Sequence, residues 1–442
     1  MSVWRPRRCS TGRHRTSWSS TSSRHCSRTD ATEETMMHSP MTRSERVVNP
    51  TGRGYLLLDA HPAGCFRSVE LMRAEVPAPE KPPARRPTAL VIGSSAGYGL
   101  ASTIAGLVRY GIDGVGIGLE RPAGHRSASA GWYRTIATHA IARGLGADFS
   151  FLNADAFADT TKAETLDLLA ERFGGVDYLI YSVAAPRRTD PRSGAAYRSV
   201  LKPLGAPHVT RNLEFADDGT AYVREVTVAS ATEAETEATV KVMGGEDWSR
   251  WVTGLAERGL LRSGFRTVAL SYIGSPLTSA IYRGGTIGAA KADLESTAGV
   301  LTGRLAAVDG RAFTSVNGAL VSQALTAIPG IPLYVGLLRG VLGDRFPSPV
   351  EQSLELWRQL TAHRPDVDGS GRIRLDRWEL AEPVQAAVAE RWRSITPETV
   401  TALADTAWFR AQYRALFGFD VPGVDYAAPV ETDLPWPDPS TP

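Results

Sequence analysis

The chain has 442 residues, 43% apolar and 22% charged, which is enough for two or three domains of roughly 150 residues or for one large α/β domain with a substantial core. Its net charge of +2 is uneven, because residues 1–45 carry eight Arg against four acidic side chains and leave the remainder close to −2. A near-neutral body lacks the basic face of a nucleic-acid binder, and the most apolar run, Ala327 to Leu342, is broken by Pro329, Gly330, Pro332 and Arg339, short of the ~18–20 residues a membrane span requires.

The Ser/Thr/Arg-rich stretch from Met1 to about Glu45 has no apolar periodicity and is expected to be disordered. Its acid-poor composition is that of an organellar transit peptide. The simpler reading is a start assigned too far upstream, with Met37 or Met41 as the true beginning. Three dispersed cysteines (Cys9, Cys26, Cys65) form neither a disulfide framework nor a zinc site, which suits a reducing, cytoplasmic compartment. A short strand at Tyr55–Leu58, a helix over Val69–Val76 and a proline-rich connector (Pro77–Pro87) follow. Beyond Pro87 apolar strand runs alternate with amphipathic helices, the pattern of βαβ units around a parallel sheet.

Thr88–Gly111 carries the clearest chemistry. A buried strand (Ala89–Ile92) runs into Gly93, Gly97 and Gly99 at the spacing G-x3-G-x-G, and a helix continues until Gly111. Such a turn offers free N–H groups and a helix dipole to a pyrophosphate. The spacing resembles that of short-chain dehydrogenase/reductases. A second strand (Val115–Leu119) ends at Glu120, whose carboxylate suits ribose hydroxyls and repels a 2′-phosphate, favouring NADH over NADPH, although Arg121 follows at once. The third (Phe149–Leu152) leads to Asp155 and Ala156, and the fourth (Tyr178–Ser182) to Val183 and Ala184.

A fifth strand (Phe265–Ser271) ends at Tyr272, with Tyr282 ten residues on and Lys291 nine further, inside a helix from about Gly285. A phenol can bond a substrate oxygen as charge develops there, and a nearby ammonium lowers its pKa and holds a nicotinamide ribose. Eight intervening residues place Tyr282 ahead of the helix. Two segments carry less. DVDGSGRIRLDR (Asp366–Arg377) nearly matches a calcium loop, but its twelfth position is Arg377, and Glu379 comes two residues too late. Glu246 and Asp247 suit a helix start, His61 a packed or capping role, and no H-x3-H pair supports a metal.

HPAGC (His61–Cys65), VIGSSAGYGLAS, SAGWYRT (Ser129–Thr135), DAFAD, YSVAAPRRTDP, VMGGEDW, the Tyr-x8-Lys segment, AIPGIPLY (Ala327–Tyr334) and LFGFDVPGVDYAAPV (Leu416–Val430) occur in order. Together they resemble the monomeric FabV-type trans-2-enoyl reductases, which reduce enoyl-CoA or enoyl-acyl-carrier-protein with NADH. The resemblance implies a Rossmann-like parallel sheet with helices on both faces, an N-terminal hairpin and C-terminal helices. On that reading residues 46–442 form one domain, with a NAD-binding core at about 88–325 and a helical part at about 326–430.

The resemblance further implies Tyr282 as proton donor, Tyr272 as a second phenol on the substrate, and Lys291 on the cofactor ribose. Gly93, Ser94, Ser95, Ala96, Gly97 and Tyr98 would hold the pyrophosphate. Leu119, Glu120, Asp155, Ala156, Val183 and Ala184 would line the rest of the dinucleotide. Leu320, Val321 and Ser322, after a sixth strand (Ala312–Val316), would meet the nicotinamide. The segment Leu325–Val341 would cover the acyl chain or pack for stability alone. Val183, Ser322 and Arg283 depart from the family pattern, Arg283 beside the donor and so bearing on chain-length preference. The rivals are a 3-ketoacyl reductase on the same scaffold and a dinucleotide-binding redox sensor without turnover.

Overall fold

The computed structural model describes residues 45–79, 85–326 and 328–438. The disorder expected of the N-terminal tail therefore concerns residues outside those described, Glu45 apart. The described residues form one compact unit.

Its centre is a seven-stranded sheet: β1 (Thr88–Ile92), β2 (Asp113–Gly118), β3 (Phe149–Asn153), β4 (Val176–Tyr181), β5 (Leu261–Ser271), β6 (Arg311–Val316) and β7 (Ile373–Arg374). They lie in the order β7-β6-β5-β4-β1-β2-β3, every neighbouring pair parallel. The order reverses between β1 and β4, the switch point at which open α/β sheets bind ligands. Parallel strands need covering on both faces, and β1 shows the consequence: all five of its residues are buried. Leu90 and Ile92 face one helical layer with Leu166, Trp248, Trp251 and Leu294. Ala89 and Val91 join the opposite layer with Leu107, Ala142, Trp357 and Leu360.

The first layer is built from α4 (Asp159–Phe173), α6 (Glu246–Glu257) and α7 (Thr286–Arg304), the second from α2 (Gly97–Ala105), α3 (Ala130–Gly144) and α10 (Pro349–Thr361). Around them lie α1 (Pro62–Glu75), α5 (Glu233–Met243), α8 (Gln323–Thr326), α9 (Ile331–Leu342), α11 (Glu382–Ser394), α12 (Val400–Leu403) and α13 (Thr406–Ala415). An antiparallel ribbon of His208–Phe215 on Ala221–Val228, not expected from sequence, joins the cluster beside α9. The expected N-terminal hairpin is present as Gly52–Arg53 on Leu56–Leu57.

The calcium-like loop has a plain structural role. Asp368 accepts hydrogen bonds from the backbone N–H groups of Ser370 and Arg372 and pairs with Arg372, shaping the turn that admits β7 to the sheet edge. His61 caps α1, its Nδ1 accepting from Gly64 N at 3.3 Å. Gly64 lies so close to the C-terminal segment that a Cβ there would stand 1.7 Å from the Gly418 carbonyl oxygen. Two widely separated sequence words thus clasp each other through glycines.

Asp247 does more than start a helix. Its carboxylate is buried, receives Lys162 Nζ at 2.7 Å and the Tyr181 hydroxyl at 3.1 Å, and so ties α6 to α4 and β4. Burial pulls the Lys162 pKa down despite the opposing pull of Asp247. Removing one member of such a pair leaves a buried charge without its partner. Lys162→Met should therefore lower the unfolding free energy by about 3–5 kcal/mol. The double variant with Asp247→Leu should recover more than half of that loss, and equilibrium denaturation of the three proteins measures both.

Candidate active site at the carboxyl edge of the sheet

The turn after β1 is held by backbone contacts that exclude side chains. Gly93 takes φ +85°, and a Cβ there would meet the Ser182 carbonyl oxygen at 2.0 Å. A Cβ on Gly99 would stand 2.0 Å from the Gly93 oxygen. Gly97 is different: at φ +53° its Cβ position has no protein atom within 4 Å, so the turn is open on that side. Helix α2 begins there with Ala96 at the N-cap supplying no side-chain acceptor and with no acidic residue in its first turn. This is a positive helix end left for an external anion.

At the end of β2 the Glu120 backbone is fixed by both ends of the Asn153 amide. Its carboxylate accepts from Ser95 Oγ at 2.6 Å and from Ser129 Oγ at 2.5 Å, at the start of α3. It fits only because residue 131 is glycine; a Cβ there would lie 2.0 Å from Glu120 Oε1. Each oxygen keeps a second lone pair for a ribose hydroxyl. Beside it Leu119 is 68% exposed. Asp155 folds its own turn by accepting from Phe157 N, and Ala156 O accepts from Lys162 Nζ. Val183 and Ala184 leave β4 next to Ser182. Past β6, Leu320 and Val321 are buried, and Ser322 Oγ accepts from Leu325 N. Ser271 Oγ and Asn317 Nδ2, at the ends of β5 and β6, are buried without a hydrogen-bond partner among the described residues. The residues present fit a dinucleotide.

Tyr272 and Tyr282 meet edge to face, with ring centroids 4.7 Å apart at 82°. Tyr282 lies in the turns ahead of α7, as its spacing predicts, and Gly274 (φ +73°) lets the loop close on it. Its phenol has no hydrogen-bond partner among the described residues, although the residue is only 5% exposed. Burial first, and then the Glu379 carboxylate, push its pKa up. That reverses the expectation that Lys291 lowers it. Lys291 Nζ instead donates to Leu270 O at 3.2 Å, and burial brings its own pKa down to about 8. Arg283, next to Tyr282 in sequence, forms a two-pronged ion pair with Glu295.

Sequence reasoning missed Glu379. It is fully buried, and Oε1 accepts from the hydroxyls of Tyr272 (2.7 Å) and Tyr334 (2.8 Å), while Oε2 accepts from Ala319 N at 2.6 Å. Burial raises its pKa to about 7. Tyr98, expected to hold the pyrophosphate, turns its hydroxyl to Gly318 O or Gln352 Oε1. Tyr282, Ile287, Val321, Leu325, Ile328 and Tyr334 share one apolar cluster, so Leu325–Val341 serves the core as well as the wall beside Tyr282.

Sheet order, glycine turn and acidic strand end define a Rossmann-type, dinucleotide-dependent reductase scaffold. Three family models match in succession: "NAD(P)H binding domain of trans-2-enoyl-CoA reductase" over residues 47–125, "Trans-2-enoyl-CoA reductase catalytic region" over 126–361 and "Enoyl reductase FAD binding domain" over 367–430. The chain belongs to the trans-2-enoyl-CoA reductase family. An enoyl-[acyl-carrier-protein] reductase [NADH] of Streptomyces avermitilis is 89% identical over 391 residues, 88% of this chain and all of that one. A trans-2-enoyl-CoA reductase [NADH] of Clostridium perfringens is 42% identical over 388 residues, 87% of this chain and 99% of that one. The crystal structure of Treponema denticola trans-2-enoyl-CoA reductase in complex with NAD superposes with a TM-score of 0.81 at 37% identity, covering 88% of this chain and 99% of that one.

The flavin in the third model's description does not fit the residues here. Asp368 and Asp376 are tied to Arg372 and Arg374, Glu379 is enclosed by two phenols and a backbone N–H, and Gly418 is packed on His61. The segment supplies a strand and a carboxyl group to the reductase instead.

The two turn glycines should separate in stability. Gly93→Ala drives a methyl group into backbone and should cost about 3 kcal/mol or more. Gly97→Ala meets open space and should cost only the left-handed backbone penalty, about 1–2 kcal/mol; thermal denaturation resolves the pair.

Proposed function

We propose that this chain uses NADH to reduce trans-2-enoyl-CoA or enoyl-acyl-carrier-protein to the saturated acyl thioester, the reductive step of fatty-acid elongation. The observation that carries this reading is the buried Tyr272–Tyr282 pair, one phenol of which has no partner among the described residues, beside a dinucleotide turn in a chain of the trans-2-enoyl-CoA reductase family. Gly93–Tyr98 would take the pyrophosphate at the start of α2, Glu120 the adenosine ribose, and exposed Leu119 one face of the adenine. Asp155, Ala156, Val183 and Ala184 line the path toward the nicotinamide, which Leu320, Val321 and Ser322 meet from β6. Lys291 holds the nicotinamide ribose.

When bound, the dihydronicotinamide supplies a hydride to the β-carbon of the thioester. Tyr282 bonds the thioester oxygen as negative charge builds on it and then delivers the proton that completes reduction. Its raised pKa keeps the phenol protonated, and so able to donate, across the physiological range. The apolar cluster around Ile287, Leu325 and Ile328 excludes water from the acyl chain. Residues 46–442 act as one monomeric body, with the core at about 88–325 holding the cofactor and the part at about 326–430 completing the substrate side. Cytoplasmic placement accords with the unpaired, buried Cys65; among the described residues no helix is long and apolar enough to cross a membrane.

NADH consumption with crotonyl-CoA and a longer enoyl-CoA tests the reading. Wild type should turn over both and leave a 3-ketoacyl thioester untouched. Tyr282→Phe should lose about 10²–10³-fold in kcat, the effect of removing one oxyanion donor, while a fluorescence titration shows NADH bound as tightly as before.

A further inference from the structure

The hydrogens around Glu379 can be accounted for one by one. A phenol has a single hydrogen to donate. Tyr334 receives Gln385 Nε2 on its oxygen at 3.0 Å, so its own hydrogen points to Glu379 Oε1. Tyr272 likewise spends its hydrogen on Oε1. With Glu379 ionised, the Tyr272 hydroxyl therefore offers a substrate oxygen only lone pairs, which repel a developing enolate. With Glu379 protonated on Oε1, the new O–H donates to the Tyr272 oxygen, and the phenol hydrogen is released. Oε2 remains an acceptor for Ala319 N in both states.

We propose that Glu379 is a positioning residue for Tyr272, and that its protonation decides whether the Tyr272 hydrogen faces the carboxyl group or the thioester oxygen. The inference rests on the enoyl-reductase reading of the site. No electrons move in the switch: one proton binds Oε1 from solvent and one hydroxyl rotates. The groups facing Glu379 come from every surrounding element: Tyr272 and Tyr282 after β5, Tyr334 on α9, Tyr98 on α2, and Asp376 after β7, itself paired with Arg374. No cation bonds Glu379 directly among the described residues, and burial sets its pKa at about 7. The acid form is thus populated at neutral pH and lost as pH rises.

The test is the pH profile of kcat with crotonyl-CoA for wild type, Glu379→Gln and Tyr272→Phe. Wild type should fall about tenfold per pH unit above an inflection near neutrality. In Glu379→Gln an amide N–H in the place of Oε1 donates to the Tyr272 oxygen at every pH, while the Tyr334 hydrogen loses its acceptor, so the pH profile should be flat across the wild-type inflection. Tyr272→Phe should lie about 10²-fold lower in kcat, with KM little changed and no inflection. An active wild type whose inflection survives in Glu379→Gln overturns the role of Glu379 alone. A wild type inert toward thioesters at every pH overturns the reductase reading itself. Infrared difference spectra of the wild type cover a Gln variant that does not fold. A protonated-carboxyl band that disappears between about pH 6 and 8 supports the switch, and its absence overturns it.

Discussion

At the switch point of the sheet, β1, the turn after it and the exit of β4 approach so closely that backbone packs on backbone. Gly93 lies on Ser182 and Gly99 lies on Gly93, with no room for a Cβ at either glycine. This contact aims α2 at the edge of the sheet and keeps its first turn in the open. It also fixes where β4 releases the chain, and β5 is registered on β4, so the position of Tyr272 follows from the same contact. The start of α2, the Glu120 carboxylate and the phenol pair are thereby set on one rim by interactions that carry no side-chain chemistry.

The rim is stiffened by polar groups that answer one another inside an apolar setting. Glu120 sits at the start of α3, locked by Ser95, Ser129 and Asn153. Asp247 holds Lys162 and Tyr181. Glu379 gathers Tyr272, Ala319 and Tyr334 from three different elements. The Asp247 cluster contains a buried ion pair, whereas Glu120 and Glu379 are held by neutral donors. Glu379 is the fully buried one of the two, which is why burial dominates its titration. A buried carboxyl held only by neutral donors stores sensitivity to pH, whereas a paired one stores rigidity.

What could be read from the sequence is what is local. The glycine turn, the acid at the end of β2 and the stretched Tyr-x8-Lys spacing each occupy a short window, and the structure places them where that window implies. β7 is two residues long and carries no periodicity. The His208–Val228 ribbon is half-buried along most of its length, so its apolar residues do not alternate cleanly. In sequence Glu379 stands out only as a misplaced calcium ligand, because its partners lie 107, 60 and 45 residues away. Asp247 read as a helix start for the same reason, with Lys162 85 residues distant. The spacing pairs Lys291 with the phenol, yet Lys291 donates to Leu270 O and burial governs Tyr282, an outcome that depends on packing depth rather than on spacing.

The glycine clasp between His61–Cys65 and Gly418, together with the pairing of Glu45–Arg46 on Val430–Glu431, bears on how the molecule comes into being. On a ribosome the cofactor half emerges first, and β1 to β4 can assemble while the rest is still being made. Its outermost wrapping waits for the final stretch of synthesis, and so does Glu379. Contacts of such sequence separation are slow to close. A nascent chain therefore passes through a stage at which the first strands of its sheet are made while the Gly418 segment that packs on His61 and the carboxyl group of Glu379 are still missing.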